Sequence, residues 1–176
     1  MASTLRSQPL LAGDIAGNPP LDPNVTVGPL TIAAPRHLVF ELMNKTTDQG
    51  GFFPGTIIDP GPGVPEPGCN AVGLGMVRSP DGKAQRNVVT KLDRNKCHWQ
   101  YTFTNVGGCG ACFRGYIGEE WIDDGPSPGT CVVTYKARVD PTLCGRMCCF
   151  TACWSGLLKL VFADIRKKIE LRQASA

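Results

Sequence analysis

From Trp154 onward, apolar residues recur at helical spacing: Trp154, Leu157, Leu158, Val161, Phe162, Ile165 and Ile169. Charges fall mainly between them, at Lys159, Asp164, Arg166, Lys167, Lys168, Glu170 and Arg172. A stripe of this period predicts one long amphipathic helix within Thr142–Gln173. Its basic residues gather in the last turns, where cations suit the negative end of the helix dipole. No stretch upstream has a helical pattern of comparable length.

The middle of the chain alternates instead. Val25–Ala33 is β-branched and reads as a first strand, after which Pro35 opens a helix with Leu38, Val39, Leu42 and Met43 on one face. A turn at 47–51 follows, then a short strand at Thr56–Ile58 and the run DPGPGVPEPG, a polyproline-like loop long enough to act as a lid. Strands are then expected at Val72–Arg78, Lys83–Leu92, Cys97–Asn105, Phe113–Ile122 and Thr130–Val139, separated by Gly, Pro, Asp and Asn clusters. Hairpin signals in this order favour an antiparallel meander. Two strands have readable faces. Cys97, Trp99, Tyr101 and Phe103 oppose His98, Gln100, Thr102 and Thr104, while Cys131, Val133, Tyr135, Ala137 and Val139 oppose Val132, Thr134, Lys136, Arg138 and Asp140. Such alternation predicts a sheet buried on one side, with the C-terminal helix as its cover. Phe113–Ile122 has no clean face, since each side mixes glycine, glutamate and aromatics.

Composition adds bounds. At 176 residues the chain suits one domain with a real core, read here as 24–173, behind a Pro-, Gly- and Ser-punctuated flexible tail at 1–23. The formal charge of +3 is concentrated in the final helix, and no basic stripe interleaved with aromatics appears elsewhere, which argues against nucleic-acid binding. The nine cysteines are an odd number, and no secretion-type segment precedes the first strand. A reducing, cytoplasmic setting with mostly free thiols is the expectation.

The order of strand, short helix, meander and long C-terminal helix resembles the START-like superfamily, with the helix-grip fold of the birch-pollen allergens. Within it the chain is most similar to the polyketide cyclase/dehydrase and lipid-transport group. The residues that carry this are Ala34-Pro35-x-x-Leu38-Val39-Phe40-Glu41-Leu42, Val72-Gly73-x-Gly75-x-Val77-Arg78, Leu92-Asp93 and Trp99-x-Tyr101. Tyr116-x-Gly118, Thr130-x-Val132-Val133-Thr134-Tyr135 and Val139-Asp140-Pro141 complete them. The resemblance implies an α+β helix-grip fold, a curved antiparallel sheet wrapped around a long C-terminal helix with short helices after the first strand. It implies a cavity for a hydrophobic or amphipathic small molecule, lipid- or polyketide-like; a carrier or sensor is the favoured role because the inward-facing positions do not assemble an acid, a base and an orienting group. It does not by itself imply a reaction, because such folds host carriers, receptors and enzymes alike.

On this reading the ligand cavity is lined by Trp99, Tyr101, Phe103, Tyr116, Glu120, Tyr135, Trp154, Leu158 and Phe162. A filled aromatic core accounts for each of them singly as well. Glu119 and Glu120 must point to opposite faces of a strand, and alignment with Tyr116 and Gly118 favours Glu120 as the inward one. A buried carboxylate there can anchor a ligand or, in the alternative reading as a cyclase/dehydratase-type enzyme, act as acid or base beside Tyr101 and Tyr116. His98 is expected on a solvated face and His37 at the surface, and no Ser or Cys elbow supports a triad. Gly73-Leu74-Gly75 lacks the rest of a phosphate-binding fingerprint.

Cys109-x-x-Cys112, with Cys144, Cys148, Cys149 and Cys153, leaves a third reading as a redox or metal protein. No second CxxC stands at zinc-ribbon spacing, so no metal and no cofactor are expected. The i, i+4 pairs Cys144/Cys148 and Cys149/Cys153 are read as small buried side chains at a close-packed helix start. Membrane contact without a spanning helix, and lipid modification at Cys148-Cys149, remain minor readings.

Overall fold

The computed structural model describes residues 21–47, 50–52, 56–59, 77–79, 86–104, 113–147 and 149–175. Its elements in chain order are β1 (Val25–Ile32), α1 (Arg36–Asn44), β2 (Thr56–Asp59), β3 (Val77–Ser79) and β4 (Arg86–Asp93). Then come β5 (His98–Thr104), β6 (Phe113–Asp124), β7 (Cys131–Pro141), α2 (Leu143–Met147) and α3 (Phe150–Ala174). The strands form one antiparallel sheet in the order β1-β7-β6-β5-β4-β3-β2. Consecutive hairpins build the run from β2 to β7, and only β1 crosses over to close the far edge on β7. The expected α+β helix-grip architecture is therefore present. Residues 1–20 of the expected tail, most of the proline loop, Gly73-Leu74-Gly75 and the CxxC pair lie outside the described residues, whereas Asp22, inside the expected tail, is paired with Arg138 at 3.1 Å.

Local chemistry explains the boundaries. Pro35 is extended rather than helical, and its carbonyl accepts from the Leu38 and Val39 amides at 3.1 and 3.2 Å to start α1. Val39, Phe40 and Met43 are buried there, with Leu38 and Leu42 partly so. At the β4–β5 turn the Asp93 carboxylate accepts from the Lys96 amide at 3.1 Å. After β6, the Gly125 amide donates to the Thr130 carbonyl at 2.9 Å, and the Thr130 hydroxyl donates to the Ser127 carbonyl at 2.6 Å. Alternation along β7 is clean: Cys131, Val133, Tyr135, Ala137 and Val139 are all buried on one side.

Three expectations need correction. The apolar stripe of α3 is narrower than its sequence suggests. Leu158, Phe162 and Ile169 are buried and Trp154 and Ile165 partly buried, but Leu157 and Val161 are exposed. The helix rests mainly on β1 and touches β7, so it covers one side of the sheet and turns a single line of residues inward.

The second correction concerns β5, whose residues from His98 to Tyr101 are buried on both faces. His98, only 5 % exposed, is bonded to the Glu119 carboxylate at 2.7 Å and stacked on Trp121 at 4.6 Å. Gln100 accepts from the Thr90 hydroxyl at 3.1 Å. Polar side chains bury here because their neighbours across the sheet satisfy them.

Third, the described cysteines at the helix start are not packed inside, Cys148 lying outside the described residues. Cys144, Cys149 and Cys153 are free and exposed, whereas Cys97 and Cys131 are the buried thiols among the described residues. Cys149 takes a left-handed conformation with φ 51°, which breaks α2 from α3 and prevents one continuous cysteine face.

Candidate functional site

Strands β5, β6 and β7 place three rows of side chains on the inner face of the sheet. Trp99, Glu120 and Tyr135 are direct cross-strand neighbours, as are Tyr101, Gly118 and Ala137 one row on. Tyr116 lies opposite Val139 in the following row. Since paired residues share a face, Glu120 lies on the buried inner side and Glu119, opposite Gln100 and Lys136, on the outer one.

The chain has only three tyrosines, and their hydroxyls meet. Those of Tyr101 and Tyr135 are 2.8 Å apart, the Tyr116 hydroxyl bonds that of Tyr135, and Trp154 Nε1 donates to the Tyr116 hydroxyl at 3.3 Å. Gly118 makes this convergence geometrically feasible. A Cβ there would lie 2.6 Å from Tyr101 Cζ and 2.7 Å from the Tyr135 hydroxyl. Gly118→Ala is accordingly expected to force both rings to move and to destabilise the fold by about 1–3 kcal/mol, the usual range for overpacking. Chemical denaturation measures it, and a loss under about 0.5 kcal/mol would show that the rings are not tightly held.

The other residues expected at the cavity join the same cluster. Trp99 stacks on Tyr101 at 4.7 Å, Phe103 meets Tyr116 edge-on at 4.9 Å, and Phe162 of α3 lies 5.2 Å from the Tyr135 ring. Leu158 is buried in the same core. Two aromatics that sequence reasoning left out extend it: Phe113 stands 5.9 Å from Tyr116 and 5.5 Å from Phe150, which stacks on Trp154 at 5.7 Å. Phe113 shares neither face pattern because the register shifts between Phe113 and Gly115. Phe150 lies one helical turn before Trp154, a spacing that was available as a signal.

Burial sets the electrostatics. It drives the Tyr101 and Tyr135 phenols well above their ordinary value of 10.0, and the neighbouring phenols add to the effect. Burial raises Tyr116 as well, opposed by its hydrogen bonds to Tyr135, Trp154 and Tyr101. The cluster is therefore a set of neutral phenols at ordinary pH, able to donate and accept hydrogen bonds but not to serve as tyrosinate bases. On the outer face, burial pushes His98 below 6.5 and the bond to Glu119 works against it.

A cleft of about 230 Å³ opens where α3 meets β1, lined by Val27, Gly28, Pro29, Leu30, Lys159, Phe162 and Ala163. Phe162 is the residue it shares with the aromatic cluster. Among the described residues no three His, Cys, Asp or Glu side chains gather as a metal site, and His37 is exposed on α1.

No family model and no curated protein matches the chain. Solved structures do. Norcoclaurine synthase from Thalictrum flavum, in complex with dopamine and hydroxybenzaldehyde, has a TM-score of 0.55 at 14 % identity, covering 84 % of this chain and 88 % of that one. The protein XoxI from Bacillus cereus has a TM-score of 0.55 at 13 % identity over 84 % and 94 % of the two chains. An uncharacterised protein from Bacillus thuringiensis has a TM-score of 0.53 at 15 % identity over 84 % and 98 %. At such identities the likeness concerns the backbone, and with the geometry above it establishes that this chain has the helix-grip fold of the birch-pollen-allergen type.

Proposed function

We propose that this protein binds one hydrophobic or amphipathic small molecule against the inner face of its sheet, as a carrier or sensor. The observation that carries the reading is the convergence of all three tyrosine hydroxyls inside an otherwise apolar, aromatic interior. Apolar surroundings with a few convergent polar groups are what orient a small ligand. Glu120 supplies the one buried carboxylate on that face among the described residues. The complex of norcoclaurine synthase with two small aromatic molecules is consistent with this use of the fold. Neutral phenols can hold a ligand by hydrogen bonds but do not serve as tyrosinate bases, which supports the carrier reading over a cyclase/dehydratase-type enzyme that uses them so.

A fluorescent fatty-acid or naphthalene-sulfonate probe is expected to bind the folded protein at one per chain, and Trp99→Ala to weaken it. Glu120→Gln keeps the shape and removes the charge, so affinity should shift by no more than about 1.5–3 kcal/mol, the worth of a charged hydrogen bond. A folded protein with no saturable probe binding would overturn the proposal. If Glu120→Gln instead spares binding and slows turnover of a polyketide-like substrate by about two to four orders of magnitude, the enzyme reading replaces it.

A further inference from the structure

We propose that the outward face of α2 and α3 docks on an anionic membrane surface. Cys153, Leu157, Leu160, Asp164, Lys167 and Leu171 follow one another in alternating steps of four and three, which sets them in one line along α3. That line is turned away from the sheet. Leu160 stands two residues from both buried Leu158 and buried Phe162, and is 71 % exposed. Leu143 and Met147 on α2 are 72 % and 78 % exposed, and α2 packs at the start of α3. Exposed thiols at Cys144, Cys149 and Cys153 and exposed small residues at Ala152, Gly156 and Ala163 continue the surface. The first half of α3 is thus apolar nearly all round, although only one side meets protein, and an apolar surface of this extent marks an interaction site.

Charge selects the occupant. The segment 143–174 holds six basic side chains against two acidic ones, an excess of four, which exceeds the formal +3 of the entire chain. The rest of the molecule is therefore slightly acidic, and the positive charge is gathered on the element that exposes the leucines. Asp164, the acid on the outward line, is paired with Lys168 at 2.6 Å. Lys159 and Lys167 make no ion pair among the described residues. An apolar stripe flanked by lysines fits acyl chains beneath anionic headgroups. No described helix is long and apolar enough to cross a membrane, so the contact is superficial. This surface is separate from the inner-face cluster, and the docking inference stands whether or not that cluster binds a ligand.

The test is flotation of the full chain with vesicles of phosphatidylcholine alone or mixed with phosphatidylserine. Binding is expected to the mixed vesicles, to weaken as salt rises, and to fall by at least about tenfold in the double variant Leu157→Glu, Leu160→Glu, from the leucine burial lost. Lys167→Gln should cost about fivefold on mixed vesicles alone, since each basic residue near such a surface contributes on that order. Both variants change exposed positions, so an unaltered thermal midpoint checks their folding. Equal binding to the two vesicle types, or binding indifferent to the glutamate pair, would overturn the proposal. So would a concentration-dependent dimer that floats with neither vesicle and dissociates in the double variant, which would make a second copy the occupant.

Discussion

Phe162→Ala is expected to cost about 3–5 kcal/mol of stability, while Leu160→Ala, two residues away on the same helix, should cost less than about 0.5 kcal/mol. The contrast follows from which way each residue faces. Phe162 is buried against the Tyr135 ring, and Leu160 faces outward. The effect should be large because α3 rests on the sheet through few buried side chains: Leu158, Phe162 and Ile169. Removing the middle one leaves a cavity between Tyr135 and the helix that neither backbone can readily close. Urea denaturation of the two variants decides it, read at constant m-value. In a thermal scan the Phe162 variant should melt lower by roughly 10 °C, given the few degrees per kcal/mol usual at this size. Equal losses in both variants would mean that α3 is rotated from the orientation described.

The same pair of residues shows how far a sequence can be read. Helical spacing reports that a stretch is apolar at certain intervals, and from that α3 and its place in the fold were legible. Spacing does not report how wide a neighbour the helix meets. Leu157 and Val161 belong to the stripe in sequence but stay exposed, because the sheet buries only the narrower line of Leu158, Phe162 and Ile169. Likewise, alternation along β7 predicted its inner face correctly, because every inward residue there is apolar or aromatic. On β5 it failed for His98 and Gln100, whose polarity suggested solvent. Their partners, Glu119 and Thr90, come from adjacent strands, and lateral satisfaction of this kind leaves no trace in the alternation of a single strand.

The inner cluster was legible in part for a related reason. Trp99, Tyr101 and Phe103 announce a face by their own spacing, and Tyr135 announces another. What joins them is β6, the strand whose pattern was least readable. Its glycine at Gly118 is the space that the rings of Tyr101 and Tyr135 occupy, and its Glu120 takes its face from the register with Trp99 and Tyr135. A strand that serves its neighbours' side chains in this way shows mixed faces in sequence and a consistent role in space.

Alkaline pH should unfold the protein steeply, because every tyrosine in the chain ionises only at a cost. In the unfolded chain the three phenols titrate near about 10. In the folded chain burial raises all three, Tyr101 and Tyr135 well above that value. The folded state therefore holds more protons than the unfolded state once pH exceeds the unfolded value, and stability falls as pH rises through that window. With all three phenols ionised in the unfolded chain and none in the folded one, the slope approaches about 4 kcal/mol per pH unit, and it slackens as Tyr116 begins to ionise. The buried thiols act in the same direction from lower pH, with Cys131 raised from 9.0 to about 11 and Cys97 raised too, both chiefly by burial. Below the unfolded thiol range these groups cost the fold nothing, so stability should be flat there on their account. Phenolate absorbance and far-ultraviolet circular dichroism, followed together up the pH scale, test the claim. A single sharp rise in phenolate should coincide with loss of the sheet signal. A gradual titration of even one tyrosine near its ordinary value, with the sheet intact, would show that its hydroxyl reaches water and that the three do not form one closed cluster.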